Sequence, residues 1–316
     1  MDKDTYFIRI WEEGAETCFG LGECALFRGL SAEDRPDYEE KLREVCNRIA
    51  EIETASLQEW SSIRFGVEMA FADLRQGGKR IYFPSAFSAG EAGIEINGLI
   101  WMGDRETMLQ RIRAKLDAGF HCIKVKIGAI DFQSELDLLK FIRRRFSRED
   151  VELRVDANGA FAPETALERL DALAKYDLHS IEQPIRAGQW EEMARLTSES
   201  PLPIALDEEL IGCNTLEGKQ KLLSAIRPQY IILKPSLHGG VCGGNEWISE
   251  AEKRQIGWWI TSALESNIGL NAIAQWCATF DNPLPQGLGT GLLFTDNVEM
   301  PLEIRKDCLW FCNDAI

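Results

Sequence analysis

Two lysines stand one residue apart, Lys124 and Lys126 in HCIKVKIG, within a run that otherwise reads as a buried strand. Strand side chains alternate faces, so both ammonium groups point the same way; with Val125 and Ile127 turned to the helices, that way is an interior. Each cation raises the cost of its neighbour's charge, and partial desolvation acts in the same direction. The pair is therefore expected to have a pKa lowered towards neutrality, which would make a lysine a base at neutral pH. Downstream, single charged residues keep a beat: 30 residues separate Lys126 from Asp156, 26 separate Asp156 from Glu182, 25 separate Glu182 from Asp207, and 27 separate Asp207 from Lys234. Three carboxylates brought together repel one another unless a cation sits among them. With His121, His179 and His238 off the beat, all-oxygen ligation favours a hard divalent ion, Mg²⁺ (magnesium) with Mn²⁺ as a substitute. A metal gripping a substrate carboxylate polarises it, and a proton on the adjacent carbon becomes removable by a nearby lysine. The chemistry expected is proton abstraction α to a carboxylate. The plainer alternative makes the lysines barrel-end cations paired with the carboxylates, and the carboxylates salt bridges or helix caps.

The beat needs elements of matching length to carry it. From residue 96 to 299, short apolar strands alternate with amphipathic helical segments, and eight strand candidates can be counted: INGLIWM, HCIKVKIG, LRVDANG, SIEQP, IALDEEL, YIILKPS, GWWITSALES and QGLGTG. Alternation of this kind calls for a parallel sheet, and eight such units in about 200 residues fit a closed α/β barrel of the (β/α)8, or TIM, type. The five charged residues then fall at or near the C-terminal ends of successive strands, which converge on the mouth where barrel enzymes hold their chemistry. Residues 1–95 read as a small α+β unit: an alternating TYFIRIW, a Gly-rich turn FGLGECALFRGLS, and helices around PDYEEKLREVCNRIAEI and SSIRFGVEMAFADLR. The tail, 300–316, is expected to pack back on that unit.

Composition excludes several classes of partner. Lys and Arg number 35 against 51 Asp and Glu, a net charge of −16, and no basic block interrupts that acidity, so nucleic acid and anionic membrane are not expected partners. Nine cysteines without a CxxC pair fit reduced thiols in a cytoplasmic protein. The opening MDKDTYFIRIWEEG is neither basic nor apolar enough for a signal peptide, and no apolar run reaches membrane-spanning length. The expected partner is a small anionic substrate, and a homo-oligomer is compatible with this reading.

In order and spacing, KVK, RVDAN, IEQP, LDEEL and ILKPS resemble the enolase superfamily, in particular its muconate-lactonising branch, over residues 15 to 300. The resemblance implies a modified TIM barrel with an α+β capping domain whose GECALFRGLS loop closes over the mouth. It implies that Asp156, Glu182 and Asp207 are the Mg²⁺ ligands, that Lys126 and Lys234 are the catalytic pair, and that Lys124 tunes Lys126. Asn158 and Glu208 would orient the ligands and bound water. No histidine on the seventh strand matches the mandelate-racemase type. Within the branch, the eighth strand lacks the acidic D-x-D of a dipeptide epimerase, and TSALESN with GLGTGLLFTDN most resembles the o-succinylbenzoate synthases of menaquinone biosynthesis. On that resemblance Thr261, Ser262, Gly289 and Thr290 would meet the substrate's remote carboxylate, with tight barrel packing as the alternative for the same residues. N-acylamino-acid racemisation is the rival activity, a non-catalytic metal- and acid-binding relative is a rival from another class, and a Schiff-base aldolase is a further one. Members of the family usually open with a strand before the segment matching DTYFIRIWEEG; its absence or shortening here would leave the capping domain with an open edge.

Overall fold

The computed structural model describes residues 3–312. The alternating TYFIRIW forms β1 (Tyr6–Trp11), which pairs antiparallel with β2 (Phe19–Cys24). FGLGEC is therefore a strand, not the turn its glycines suggest. The cause lies in helices α1 (Tyr38–Asn47) and α2 (Ser61–Arg75), which share a core with the sheet through Ile8, Ile10, Tyr38, Val45, Ile63 and Val67. A Cβ at Gly20 would overlap the carbonyl oxygen of Ala70, and one at Gly22 that of Gly66, so these glycines let strand and helix backbones touch. Gly22→Ala is accordingly expected to cost roughly 3 kcal/mol or more, read as a fall in thermal midpoint with the circular-dichroism signal of the remaining fold retained.

After β3 (Ile94–Glu95) the chain enters the alternation expected from the sequence. In order come β4 (Gly98–Ile100), α3 (Arg105–Asp117), β5 (Cys122–Lys126), α4 (Phe132–Arg143), β6 (Glu152–Asp156), α5 (Pro163–Ala174) and β7 (Ser180–Glu182). Then follow α6 (Trp190–Glu199), β8 (Ile204–Leu206), α7 (Leu216–Ile226), β9 (Tyr230–Leu233), α8 (Gly240–Glu252), β10 (Gly257–Ile260) and α9 (Asn267–Cys277). β4 to β10 form one parallel sheet in sequence order. Asp104, Asp131, Thr215 and Ser266 cap α3, α4, α7 and α9 by accepting backbone N–H bonds, which sets where each helix starts. Of eight expected barrel strands, seven are regular. The eighth is reduced to two parallel bridges, Gln286 to Ile96 and Gly287 to Thr261, which close the barrel between β10 and β4. Pro283 and Pro285 precede these residues and have no N–H to donate, so pairing begins only at Gln286.

The described residues end in a hairpin, β11 (Leu302–Arg305) and β12 (Cys308–Phe311), and β12 pairs with β3 while Phe311 packs edge-on against Phe87; residues 313–316 of the expected tail lie outside the described residues. Among the described residues no helix is long and apolar enough to cross a membrane. The N-terminal unit is held to the barrel by buried polar bonds. Glu23, fully buried, accepts from Ser266 N and Oγ and from Gly269 N at the start of α9, and Lys3 Nζ donates to the carbonyls of Ala263 and Leu264.

Glu68 on α2 makes the same kind of link, accepting from Val241 N and Cys242 N at the start of α8 beside Arg64. Burial pushes its carboxyl up to about 7, against the opposing pull of Arg64 and the two N–H groups. The folded protein then binds more protons at Glu68 than the unfolded chain between the ordinary carboxylate range and pH 7, so this group's contribution to stability falls as pH rises through that window. Glu68→Gln is expected to flatten the pH–stability profile between pH 5 and 7.5, by up to about 3 kcal/mol relative to wild type in denaturant titrations.

Candidate active site

Parallel register places the charged residues side by side at the barrel mouth. Lys126 is opposite Asp156 across β5 and β6, and Asp156 is opposite Glu182 across β6 and β7. Asp207 directly follows β8 and Lys234 directly follows β9. Lys126 Nζ lies 2.5 Å from Asp156 Oδ2 and 2.8 Å from Asn158 Oδ1. Lys124 Nζ bonds Glu182 Oε2 and lies 2.9 Å from Asp156 Oδ2, and Lys234 Nζ bonds Asp207 Oδ2. Asn158, in the left-handed region at φ 44°, donates to Glu208 Oε1 at 2.8 Å and so joins the two ends of the cluster. The structure thus brings together all eight of the lysines, carboxylates and orienting residues singled out in the sequence.

Burial and charge set the electrostatics. Asp156 and Asp207 are 0% exposed and Glu182 2%. Burial pushes the Asp156 carboxyl up, but Lys124 and Lys126 outweigh it and hold it well below its usual range; Lys234 does the same for Asp207. Glu182 is pushed up by burial and by Asp156, and Glu208 by burial and by Asp207. The expected lowering of the lysine pair is not found at Lys124. Burial does pull its pKa down, but Asp156, Glu182 and Asp207 outweigh that and raise it, and Lys234 is raised in the same way by Asp207 and Glu182. The neighbours that decide the sign are carboxylates from the next strands.

The cluster's donors suit a divalent cation. Glu182 Oε1, Asp207 Oδ1 and Glu208 Oε2 are buried with no hydrogen-bond partner, so unspent carboxylate oxygen is concentrated at the ends of two neighbouring strands, β7 and β8. The remaining inward oxygens, Oδ2 of Asp156, Oε2 of Glu182 and Oδ2 of Asp207, are turned to ammonium groups. Among the described residues no group of three His, Cys, Asp or Glu side chains forms a ready-made cage, and Lys124, Lys126 and Lys234 are the counter-ions of these carboxylates.

Above the carboxylates is a cavity of about 370 Å³, lined by Lys124, Lys126, Lys234, Asn158 and Glu208. Phe27 and Leu30, from the loop after β2, form part of its wall, as the capping loop was expected to do. Thr261, Ser262, Gly289 and Thr290 also line it. Thr261 Oγ1 donates to Gly287 O at 2.7 Å, and the Ser262 and Thr290 hydroxyls share a 2.5 Å bond. Several residues were not singled out from the sequence. Trp101 lies with its ring centroid 5.7 Å from Lys126 Nζ. Gln183 accepts from Asp207 N and Glu209 N at 3.2 Å and fixes the turn that presents Asp207. His238, fully buried and pulled down to about 3 by that burial, accepts the Lys234 N–H at Nδ1. The Gln of IEQP and the His four residues after Lys234 were the available signals.

Residues 107–312 match the family described as "Enolase C-terminal domain-like". The chain is 52% identical over 271 residues, 86% of its length, to o-succinylbenzoate synthase of Desulfotalea psychrophila, covering 73% of that protein. The crystal structure of MenC from Desulfotalea psychrophila superposes with a TM-score of 0.88 at 44% identity, over 98% of this chain and 94% of that one. Muconate lactonizing enzyme from Pseudomonas putida has the same fold, with a TM-score of 0.81 at 22% identity over 98% of this chain and 89% of its own.

Proposed function

The chain belongs to the o-succinylbenzoate synthases of the enolase superfamily, and from that membership we propose that it catalyses the syn-dehydration of 2-succinyl-6-hydroxy-2,4-cyclohexadiene-1-carboxylate to o-succinylbenzoate. The observation that carries this reading beyond the likeness is the placing of Lys126 and Lys234 on opposite walls of one cavity, above three buried carboxylates. Members of the superfamily use a divalent metal. Asp156, Glu182 and Asp207 are the residues that would hold it, as Mg²⁺ with Mn²⁺ as substitute. A cation bound there would supply positive charge against the substrate carboxylate and against the three side chains.

The residues of the chain divide the remaining work. Lys126, as the free amine, takes the proton from C1, breaking the C–H bond. The resulting ammonium then gives that proton to the departing hydroxyl on the same face, so the C–O bond breaks, water leaves and the ring becomes aromatic. Lys234 stays an ammonium and faces the negative charge developing across the ring. Lys124, held by Asp156 and Glu182, sets the local charge felt by Lys126. Asn158 and Glu208 keep the carboxylates oriented. Phe27 and Leu30 of the capping unit, residues 1–95 on our reading, keep water from the ring. Thr261, Ser262, Gly289 and Thr290 form the wall along which the succinyl arm would lie. The reaction would take place in the cytoplasm as a step of menaquinone biosynthesis.

The test is turnover of the cyclohexadiene acid followed by ultraviolet absorbance, with Mg²⁺ and with EDTA, beside N-succinyl amino acids followed by polarimetry. Metal-dependent loss of the diene band supports the assignment. Racemisation without dehydration would keep the site and replace the reaction.

A further inference from the structure

The wall of hydroxyls has few protons to offer a carboxylate. Thr261 gives its proton to Gly287 O, and the Ser262–Thr290 pair uses one of its two, which leaves a single hydroxyl proton free. An acidic arm lying here needs positive charge from elsewhere. The weak eighth strand provides an opening. Among the described residues the last backbone bond across the seam between β4 and the 286–289 segment is Asn97 N–H to Gln286 O, 2.9 Å. Beyond it a second cavity, of about 460 Å³, extends towards α3 and shares Leu99, Trp101, Leu264 and Gly289 with the reaction cavity.

Among the described residues only two that line this side cavity carry charge, Arg111 and Lys115, and both are cations, in a chain whose net charge is −16. They stand four apart on α3 and so share a face of the helix. Arg111 Nη1 donates to the carbonyls of Trp101 and Met102, both at 2.8 Å, which ties it to the loop that forms the dividing wall. Lys115 is half-buried with its ammonium 4.5 Å from the centroid of the Phe120 ring, and among the described residues no carboxylate pairs with it. Burial pulls its pKa below the ordinary lysine value. A partly dehydrated cation without a counter-ion is costly, and an incoming carboxylate removes that cost.

We propose that this side cavity is a subsite for the carboxylate at the end of the substrate's succinyl arm, with Lys115 as its partner and Arg111 steadying the wall. The inference rests on the proposed dehydration. It is tested by calorimetric binding of o-succinylbenzoate and of 2-butanoylbenzoate, which lacks the terminal carboxylate, to wild type, Lys115→Gln and Lys115→Arg. Lys115→Gln is expected to weaken o-succinylbenzoate about tenfold, with KM for the dehydration rising by a similar factor and kcat little changed. The butanoyl probe should bind wild type and Lys115→Gln alike, and Lys115→Arg should restore most of the loss. Equal weakening of both probes would show a structural role, and no change in either would show that the arm goes elsewhere; both results overturn the assignment. Wild type that neither dehydrates the diene acid nor binds o-succinylbenzoate would bring down the parent reading as well. Wild type that does both, with Lys115→Gln indistinguishable from it, would bring down the subsite alone.

Discussion

Lys126→Ala reduces kcat for the dehydration by about 10³- to 10⁴-fold or more, while affinity for Mg²⁺ is undiminished. The size of the loss follows from the proposed role of Lys126, which would handle the proton twice, taking it from carbon and delivering it to the leaving oxygen. Lys234 does not substitute, because it lies on the far wall bonded to Asp207. The preserved metal affinity follows from charge: Lys126 Nζ lies 2.5 Å from Asp156 Oδ2, so its removal frees an oxygen of a proposed metal ligand and takes away a repelling cation. Lys126→Arg separates the base from the charge, since a guanidinium stays protonated at every accessible pH. It should be as inactive as the alanine variant. Parallel measurement of kcat and of Mg²⁺ binding decides the matter; a variant that loses both to the same degree would mark Lys126 as a structural cation.

The parts legible in the sequence were those set by periodicity. A charge repeating every βα unit cannot keep phase by accident over four intervals, so the barrel, its mouth and the residues gathered there could be read directly. What could not be read depended on distances between segments remote in sequence. Gly20 and Gly22 look like turn residues until α2 is laid against them. The eighth strand, QGLGTG, looks complete until the chain leaves the sheet after Gly287 and turns into a 3-10 helix at Thr290–Leu293. The direction of the Lys124 shift was misread for the same reason. Two adjacent lysines define a repulsion within one strand, whereas the outweighing attraction comes from Asp156 and Glu182, 32 and 58 residues away, which only the sheet register brings near. Gln183 and His238 act on backbone N–H groups, and their places in IEQP and four residues after Lys234 mark them as near the site without showing which backbone groups they meet.

Lys124→Met gives a protein whose stability depends on a divalent cation. In EDTA it should be less stable than wild type by about 3 kcal/mol or more, because Lys124 is buried between Asp156 and Glu182 and its loss leaves carboxylates in the interior without that counter-ion. Saturating Mg²⁺ should shrink the difference to under about 1 kcal/mol, since a ligand at free concentration L that binds only the folded state adds RT ln(1 + L/Kd) and the variant, with one repelling cation fewer at the site, should bind it more tightly. The deficit in EDTA should also depend on pH, with a sign that can be worked out. Burial and Asp156 raise the Glu182 carboxyl above its unfolded value, so the folded protein binds more protons there and is favoured at low pH. The variant's deficit is then smaller at pH 5 than at pH 8, where Glu182 must stay ionised without Lys124. Denaturant midpoints of wild type and variant, with EDTA and with Mg²⁺ at the two pH values, give all four comparisons. If Mg²⁺ stabilises neither protein, Asp156, Glu182 and Asp207 are partners of the lysines alone. If Mg²⁺ stabilises wild type and fails to rescue the variant, Lys124 is required to shape the ligand set as well as to balance its charge.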